Sequence, residues 1–217
     1  EIKSSEEKLA NMGSARQATR SSNKRLLLHL LNTMRPLQWV KNGVVAIPFI
    51  FNINQRWTPS DIGLVSILLW RTVLAVVLFS ILSGAIYIIN DITDRKRDGF
   101  HPMKRFRPIP SGQLGLFPAG VASVMLSAAA IGAGYSISPA FSLISALYLL
   151  ANISYSFFLK QIILVDVLII SLGYVVRLAA GDSAAEANTS PWLYGTVASG
   201  ALFIALGKRY SELTAAQ

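Results

Sequence analysis

The stretch that decides the fold runs from Thr72 to Gly112 and reads TVLAVVLFSILSGAIYII, followed by NDITDRKRDGFHPMKRFRPIPSG. The first eighteen residues carry no charge, whereas the rest include three aspartates, one histidine and six lysines or arginines. An uncharged run of about 18 residues is long enough to cross a bilayer as a helix. The stretch therefore predicts a membrane span that ends abruptly in a highly charged loop.

The composition of the whole chain extends this prediction. Of its 217 residues 53% are hydrophobic and 14% are charged, compared with about 25% charged in soluble domains. The sequence predicts an all-α, polytopic transmembrane bundle formed by residues 28–217, after a polar segment at 1–27. Six spans are predicted, at 28–53, 62–89, 114–135, 140–159, 161–181 and 191–207. The first is the weakest, because Arg35, Pro36 and Lys41 interrupt it.

The basic residues are distributed unevenly about these spans. If each span crosses once, seventeen of the twenty lysines and arginines fall on one side, and the opposite loops hold only Arg56. The positive-inside rule then predicts that the charged loop and both termini are cytoplasmic in a multi-pass protein of the cell membrane. The same rule explains the net charge of +9 without a nucleic-acid partner. The chain has no cysteine, which excludes disulfides and thiolate metal sites.

Three aspartates at the start of the charged loop point to a metal. Asp91, Asp94 and Asp98 are spaced i, i+3 and i+7, and share one face if the helix of the second span continues through them. Grouped carboxylates repel one another unless a cation lies among them. Oxygen ligands of this kind suit Mg²⁺, which completes its coordination with water and substrate phosphate oxygens. We therefore assign the three aspartates as metal ligands and catalytic residues of a magnesium–diphosphate site, with Asn90 beside them.

The basic half of the loop fits the same chemistry. The side chains expected to pair with the remaining phosphate oxygens are His101, Lys104, Arg105 and Arg107. The prolines that follow cannot continue a helix, so the loop is expected to fold back over the site. A simpler interpretation is a solvated loop that obeys the positive-inside rule. It explains the bases but not three acids on one helical face.

The segment NDITDRKRD, at 90–98, resembles the NDxxDxxxD pattern of the UbiA superfamily of intramembrane prenyltransferases. The resemblance is closer to its decaprenyl-phosphate phosphoribosyltransferase branch. Four stretches carry it: MRPLQWVKN at 34–42, the whole segment 90–112, YSFFLK with Asp166 at 155–166, and GYVVRLAAG through ALGKRYSEL at 173–213.

This resemblance implies a helical bundle with a lateral opening to lipid and a Mg²⁺-dependent reaction. Phosphoribose would pass from phosphoribosyl diphosphate to a polyprenyl phosphate, with release of diphosphate, for the synthesis of cell-wall arabinan. The expected partners are these two substrates and the bilayer, and a homo-oligomer is compatible with the pattern. The superfamily has about nine spans, so the resemblance also implies a chain truncated at its C-terminus.

A second aspartate-rich motif, which most of the superfamily uses to bind a prenyl diphosphate, is missing from its expected place. Lys208, Arg209 and Glu212 stand there instead, which favours direct ion pairs with an anion such as a lipid monophosphate. The remaining DxxxE pair, Asp182 and Glu186, is predicted to lie in a solvated loop on the far side of the membrane.

Further candidates lie near the cytoplasmic rim. Lys160 and Asp166 bracket the turn between the fourth and fifth spans, and Tyr155 is one turn earlier. Rim charges are costly and often functional, so we favour a functional role for both over a snorkelling lysine and a helix-start aspartate, and leave the two interpretations level for Tyr155. Lys41, with Arg35 and Asn42, faces either the bound anion or lipid headgroups. We interpret His29 and Arg177 as structural.

Two alternatives to phosphoribosyl transfer remain open. One is a prenyltransferase that attaches an isoprenoid to an aromatic acceptor and uses a second acidic cluster. The other is an inactive fragment whose loop only binds anionic lipid.

Overall fold

A computed structural model of the chain describes residues 24–160 and 163–214, and this part consists of helices joined by turns and loops, without named strands. The α-helices are α1 (24–33), α2 (Ile47–Phe51), α3 (Ile62–Thr93), α4 (Arg95–Phe100), α5 (Leu116–Gly134), α6 (Pro139–Ser154), α7 (Ile163–Ala185) and α8 (Pro191–Thr214). Two 3-10 helices, Pro36–Ala46 and Lys104–Phe106, and a π-helical segment, Tyr155–Leu159, complete the elements. The all-α prediction is confirmed.

Four helices are long and apolar enough to cross a membrane, and they correspond to the second, third, fourth and fifth predicted spans. Their bounds are Ile62–Thr93, Leu116–Gly134, Pro139–Phe157 and Val165–Ala185. The chain is a membrane protein, as its composition indicated.

The structure differs from the prediction at the first and sixth spans. Residues 28–53 do not form one helix, because Arg35 adopts a left-handed conformation (φ 53°) and Pro36 starts a separate 3-10 helix. The sixth span is a continuous helix, α8, but it is not among the four apolar candidates. The described residues therefore contain four clear spans rather than six.

Helix α3 forms the centre of the bundle and packs against α5, α6, α7 and the 3-10 helix Pro36–Ala46. Its buried face contributes Phe79 and Leu82 to the main core cluster, where Phe79 contacts the ring of Phe141 on α6 edge-on. In lipid, small residues at such seams let the helices approach closely. The most central helix is thus the one whose C-terminal end carries the aspartates.

The segment 34–46, which includes the first 3-10 helix, lies close to the bundle at two glycines. A Cβ on Gly181 of α7 would meet the carbonyl oxygen of Val45 at 2.2 Å, and a Cβ on Gly84 of α3 would meet the Met34 side chain at 2.6 Å. Neither position therefore has room for a side chain. This close approach buries Asn42, whose amide donates to Ser80 on α3 at 3.0 Å.

The Asp182–Glu186 pair lies at the opposite end of α3 from the aspartate loop. Glu186 pairs with Arg71, which is twenty residues, or about 30 Å of helix, before Asp91. Glu186 also pairs with Arg56, and hydrogen bonds from Arg71 and Arg56 hold the pKa of Glu186 below its ordinary value. Asp182 accepts hydrogen bonds from Thr189 and Tyr194. The far-end placement agrees with the prediction, but the two acids brace the protein instead of lying free in a solvated loop.

Candidate functional site

The three aspartates are divided between two helices. Asp91 lies in the last turn of α3, Asp94 is the residue between α3 and α4, and Asp98 lies in α4. The backbone at Asp94 stays in the right-handed helical region, where the Asp94 N–H donates to the Asn90 carbonyl at 2.9 Å and the Asp98 N–H donates to the Asp94 carbonyl at 2.8 Å. The helical path therefore continues through the three aspartates, as the spacing assumed. Asp91 is 2% and Asp98 1% exposed, which is rare for ionised carboxylates unless they are paired.

A single arginine joins the two buried carboxylates. Nη1 of Arg107 lies 2.7 Å from Oδ2 of Asp98 and 3.3 Å from Oδ1 of Asp91. Arg35, from the start of the 3-10 helix, also pairs with Asp91, and Nζ of Lys104 lies 3.9 Å from Asp98. One cationic nitrogen therefore lies between two buried acids, and further bases surround them.

Asp94 has a different set of partners. It pairs with Lys160, which directly follows the π-helical segment, and, at 3.0 Å, with Arg97 on the next helical turn. Among the residues that the structure describes, no three acidic, histidine or cysteine side chains group closely enough to hold a metal. Two of the three carboxylates, those of Asp91 and Asp98, thus converge on Arg107, whereas Asp94 pairs with Lys160 and Arg97 instead.

The donor set nevertheless fits Mg²⁺. The ligands available are carboxylate oxygens and the Asn90 amide, which are the hard oxygen donors that Mg²⁺ prefers. The Arg107 nitrogen between Asp91 and Asp98 marks a point where a cation fits between two buried acids. A metal there would require Arg107 to exchange its partners.

The rim residues meet beside Asp94. Ser156 donates to the Asn90 side chain and Tyr155 donates to Asp166, linking the π-helical segment to α3 and α7. Arg209 of α8 lies close enough to Tyr155 to act on it electrostatically. The predicted residues Asn90, Tyr155, Lys160, Asp166 and Arg209 are therefore brought together, whereas the side chain of Lys208, and that of Glu212, lie outside the described part of the chain.

His101 and Arg105 are placed differently from the prediction. Nδ1 of His101 accepts the backbone N–H groups of Met103 and Lys104 at 3.2 and 3.3 Å, at the start of the short 3-10 helix. The guanidinium of Arg105 lies over the ring of Phe106, 4.8 Å from its centroid. Both side chains are exposed, and neither is joined to the aspartates by a contact that the structure describes. Hydrogen bonding within the loop and ring stacking direct them away.

A cavity of about 160 Å³ opens below the rim. Its lining combines polar and apolar side chains from the 3-10 helix, α3, α6 and α7, and includes Lys41, Tyr87, Tyr148, Tyr155, Asp166, Tyr174 and Arg177. Lys41 is thus in the position that the sequence left open, beside a cavity that could receive an anion. The cavity connects the Tyr155–Asp166 pair with the interior of the bundle.

Arg177, which the sequence suggested to be structural only, also has a place in the cavity wall. Its side chain is 7% exposed and donates to Asn42 at 2.8 Å, to the Gly173 carbonyl at 2.7 Å and to the Tyr148 hydroxyl at 2.9 Å. These bonds do tie three elements together, as a structural role requires. Arg177 also lines the cavity, however, and an arginine inside an apolar span was the signal that could have identified it.

Comparisons with known proteins place these observations in context. The model of the UbiA prenyltransferase family matches residues 57–212. The decaprenyl-phosphate phosphoribosyltransferase of Mycobacterium tuberculosis is 31% identical over 88% of this chain and 62% of its own length, and that of Corynebacterium glutamicum is 35% identical over 85% and 54%. The chain thus spans roughly six tenths of these relatives.

A solved structure shares the fold. A UbiA homolog from Archaeoglobus fulgidus, bound to DMAPP and Mg²⁺, superposes with a TM-score of 0.67 at 21% identity, over 80% of this chain and 60% of that one.

Proposed function

The chain belongs to the UbiA prenyltransferase family, and from that membership we propose that the protein transfers 5-phosphoribose from phosphoribosyl diphosphate to a polyprenyl phosphate and releases diphosphate. The relatives named decaprenyl-phosphate phosphoribosyltransferase support this choice within the family. The observation that carries it is the pairing of three aspartates with bases from three parts of the chain. Such a site can accept both a divalent cation and a highly anionic donor.

The reaction is a substitution at the anomeric carbon of the ribose. An oxygen of the lipid phosphate forms the new bond to this carbon, and the bond to diphosphate breaks with its electron pair going to the leaving group. The attacking phosphate is already anionic at neutral pH, so no strong general base is needed. This agrees with a site that contains ion pairs but no histidine beside the aspartates among the described residues.

Asp91, Asp94 and Asp98 are the residues that would hold Mg²⁺. Bound there, the ion would neutralise charge that builds on the diphosphate as it leaves. Arg107, Lys104 and Lys160 exchange their carboxylate partners for phosphate oxygens of the donor. They thereby fix the orientation of the ribose relative to the acceptor.

The acceptor side of the site is formed by the rim of α7 and α8. Arg209 lies near the Tyr155–Asp166 pair, where prenyl diphosphate enzymes of the family would be expected to carry further acids. A base at this place suits a lipid monophosphate.

We also propose an orientation, a domain division and a role for the product. This rim and both termini face the cytoplasm. Residues 28–217 form the catalytic domain after the 1–27 segment, and the product serves arabinan synthesis.

The family is named for prenyl transfer, so prenyl transfer is the alternative to phosphoribosyl transfer. The test is a paired assay on membranes that contain the protein, with Mg²⁺ present. One arm supplies labelled phosphoribosyl diphosphate with a polyprenyl phosphate, and the other supplies labelled prenyl diphosphate with an aromatic acceptor. Label that enters the lipid phase in the first arm alone supports the proposal. Product in the second arm alone rejects it in favour of prenyl transfer, and product in neither rejects it outright.

A further inference from the structure

We propose that Arg177 and the tyrosines around it form a binding site for the phosphate group of an isoprenoid lipid phosphate, with its chain in an apolar groove between α6 and α7. The proposal rests on the proposed function, because it assigns the lipid acceptor a place to bind before its phosphate meets the donor at the rim. The cavity that Arg177 lines also has Tyr155 and Asp166 in its wall, so it leads to the rim beside the aspartate loop.

Arg177 carries a buried positive charge. The hydrogen-bond partners of Arg177 are an amide oxygen, a backbone carbonyl and a phenol, all of them neutral. Within the described ranges 24–160 and 163–214, no carboxylate lies within 4 Å of its guanidinium, and Asp166 is eleven residues, or about 16 Å of helix, away. A buried cation without a counter-ion is costly. An anion in the adjoining cavity would supply that counter-ion.

Tyrosine side chains offer hydrogen-bond donors around this charge. Rings of Tyr148 and Tyr174 flank the guanidinium, with centroids 5.2 and 5.7 Å from its carbon, and both line the cavity together with Tyr87. Because Tyr148 accepts from Arg177, its own hydroxyl proton is directed elsewhere. The cavity wall thus offers phenol donors around one cation, a set that matches the oxygens of a phosphate group.

The close packing around Arg177 holds the guanidinium in place. A Cβ on Gly173 would lie 3.1 Å from Nη1 of Arg177, so the absence of a side chain at this position leaves room for the charged group against α7. Asn42 on the opposite side is itself fixed by Ser80. The cation is therefore preorganised before any ligand arrives, which reduces the entropic cost of binding.

An apolar groove next to the cavity suits the hydrocarbon chain of the ligand. A second, apolar cavity of about 250 Å³ shares Tyr148, Asn152, Ile169 and Gly173 with the first. It continues along α6 and α7 to Leu147 and Leu172, which are exposed on the surface of the spans. A polar chamber that leads into an apolar groove on a membrane-facing surface fits a phosphate head with a hydrocarbon tail. A sugar phosphate has no group to place in this groove.

The test is equilibrium binding to the purified protein in nanodiscs, with EDTA present and no phosphoribosyl diphosphate. The probes are farnesyl phosphate, its uncharged counterpart farnesol, and ribose 5-phosphate. We expect farnesyl phosphate to bind at least tenfold more tightly than farnesol. Arg177→Met should remove this advantage, and Arg177→Lys should keep a substantial part of it. Equal binding of both lipids, or wild-type binding by Arg177→Met, would overturn the proposal.

A second variant covers the case in which Arg177→Met does not fold. Ala151→Trp fills the groove without touching the bonds of Arg177 and should weaken farnesyl phosphate binding at least tenfold. Leu143→Trp, on the exposed face of the same helix and outside the groove, is the matched control and should bind normally. Unchanged binding by Ala151→Trp would contradict the groove. If Arg177→Met loses ribose 5-phosphate binding but keeps farnesyl phosphate binding, the phosphate belongs to the sugar and the lipid assignment is wrong.

The result is separable from the proposed function. The binding assay contains neither the sugar donor nor a metal, so Arg177-dependent binding can hold while phosphoribosyl transfer fails. Conversely, if the protein transfers phosphoribose but Arg177→Met binds farnesyl phosphate as tightly as wild type, the proposed function is supported and the Arg177 site is rejected.

Discussion

Arg107 and Asp98 form an ion pair of 2.7 Å whose acidic partner is 1% exposed, and the same guanidinium nitrogen lies 3.3 Å from Asp91. The three groups are held by different elements: the end of α3, helix α4 and the loop after the second 3-10 helix. Breaking a buried pair by removing one partner leaves an uncompensated charge, which is strongly destabilising. Arg107 therefore has a structural role in the resting site and a proposed binding role during the reaction.

This dual role predicts a metal-dependent stability effect. Arg107→Gln should lower the free energy of unfolding in EDTA by about 2 kcal/mol, less than for a fully buried pair because Arg107 is partly exposed and Arg35 and Lys104 remain. Mg²⁺ should restore part of the loss by compensating the same carboxylates. Thermal unfolding with and without Mg²⁺ measures both effects. Arg105→Gln, an exposed arginine of the same loop, serves as the control and should be neutral; an equal loss there would show that the effect is not specific to the buried pair.

Lys160 provides a second prediction, about substrate binding. Its ammonium group, just after the π-helical segment, pairs with Asp94 at the end of α3. Lys160→Met should raise the KM for phosphoribosyl diphosphate by at least about tenfold, because a charge-assisted hydrogen bond to phosphate contributes about 1.5–3 kcal/mol. Steady-state kinetics on membranes that contain the variant or the wild type measure this KM. An unchanged KM would show that Lys160 does not bind the phosphates of the donor and only pairs with Asp94.

The structure and the sequence give His101 different roles, and a substitution distinguishes them. Since His101 accepts two backbone N–H groups and lies away from the aspartates, His101→Ala should keep transfer within about threefold of wild type. The lost acceptor should cost about 1 kcal/mol of stability, as at a helix N-terminus. His101→Asn, which retains an acceptor, should recover part of it. A loss of transfer of a hundredfold or more in both variants would restore the phosphate-binding role that the sequence predicted.

Glu186 gives a pH-dependent prediction at the far end of the bundle. Arg71 and Arg56 hold its pKa below the ordinary value, so its contribution to stability is present above about pH 4.5 and is lost as the pH falls through the lowered pKa. Glu186→Gln should therefore reduce the thermal stability at pH 7 modestly, because the pair is partly exposed. The difference from wild type should shrink below pH 4.5. A difference that stays constant from pH 7 to pH 3.5 would contradict the ion-pair assignment.

Local features of the site were predictable from the sequence because they depend on residues close together. The uncharged run before Asn90, the aspartates after it and the prolines that end the loop fix where the helix leaves the membrane. The chain is less predictable where distant segments meet. The pairing of Arg35 with Asp91 joins residues 56 positions apart, and that of Lys160 with Asp94 joins residues 66 apart. No spacing rule relates such positions.

The i, i+3 and i+7 spacing places Asp91 and Asp98 on one side, where both contact Arg107. The spacing could not show that a base from a distant segment, Lys160, pairs with Asp94. Arg177 was misjudged for a related reason. Hydropathy shows an arginine within a span, but only the folded bundle shows that the arginine lines a cavity.

The most direct test of the central claim, that the aspartate loop is a magnesium-dependent phosphoribosyl-transfer site, is the effect of Asp94→Asn on label transfer from phosphoribosyl diphosphate to polyprenyl phosphate. Asp94 is partly exposed, so the variant should fold and insert normally. We expect transfer by wild type only with Mg²⁺ and a loss of about 100-fold or more in Asp94→Asn. Asp61→Asn, which keeps a side-chain acceptor at the N-terminus of α3, should leave transfer unchanged. Transfer by Asp94→Asn at the wild-type rate, or wild-type transfer that persists in EDTA, would contradict the claim.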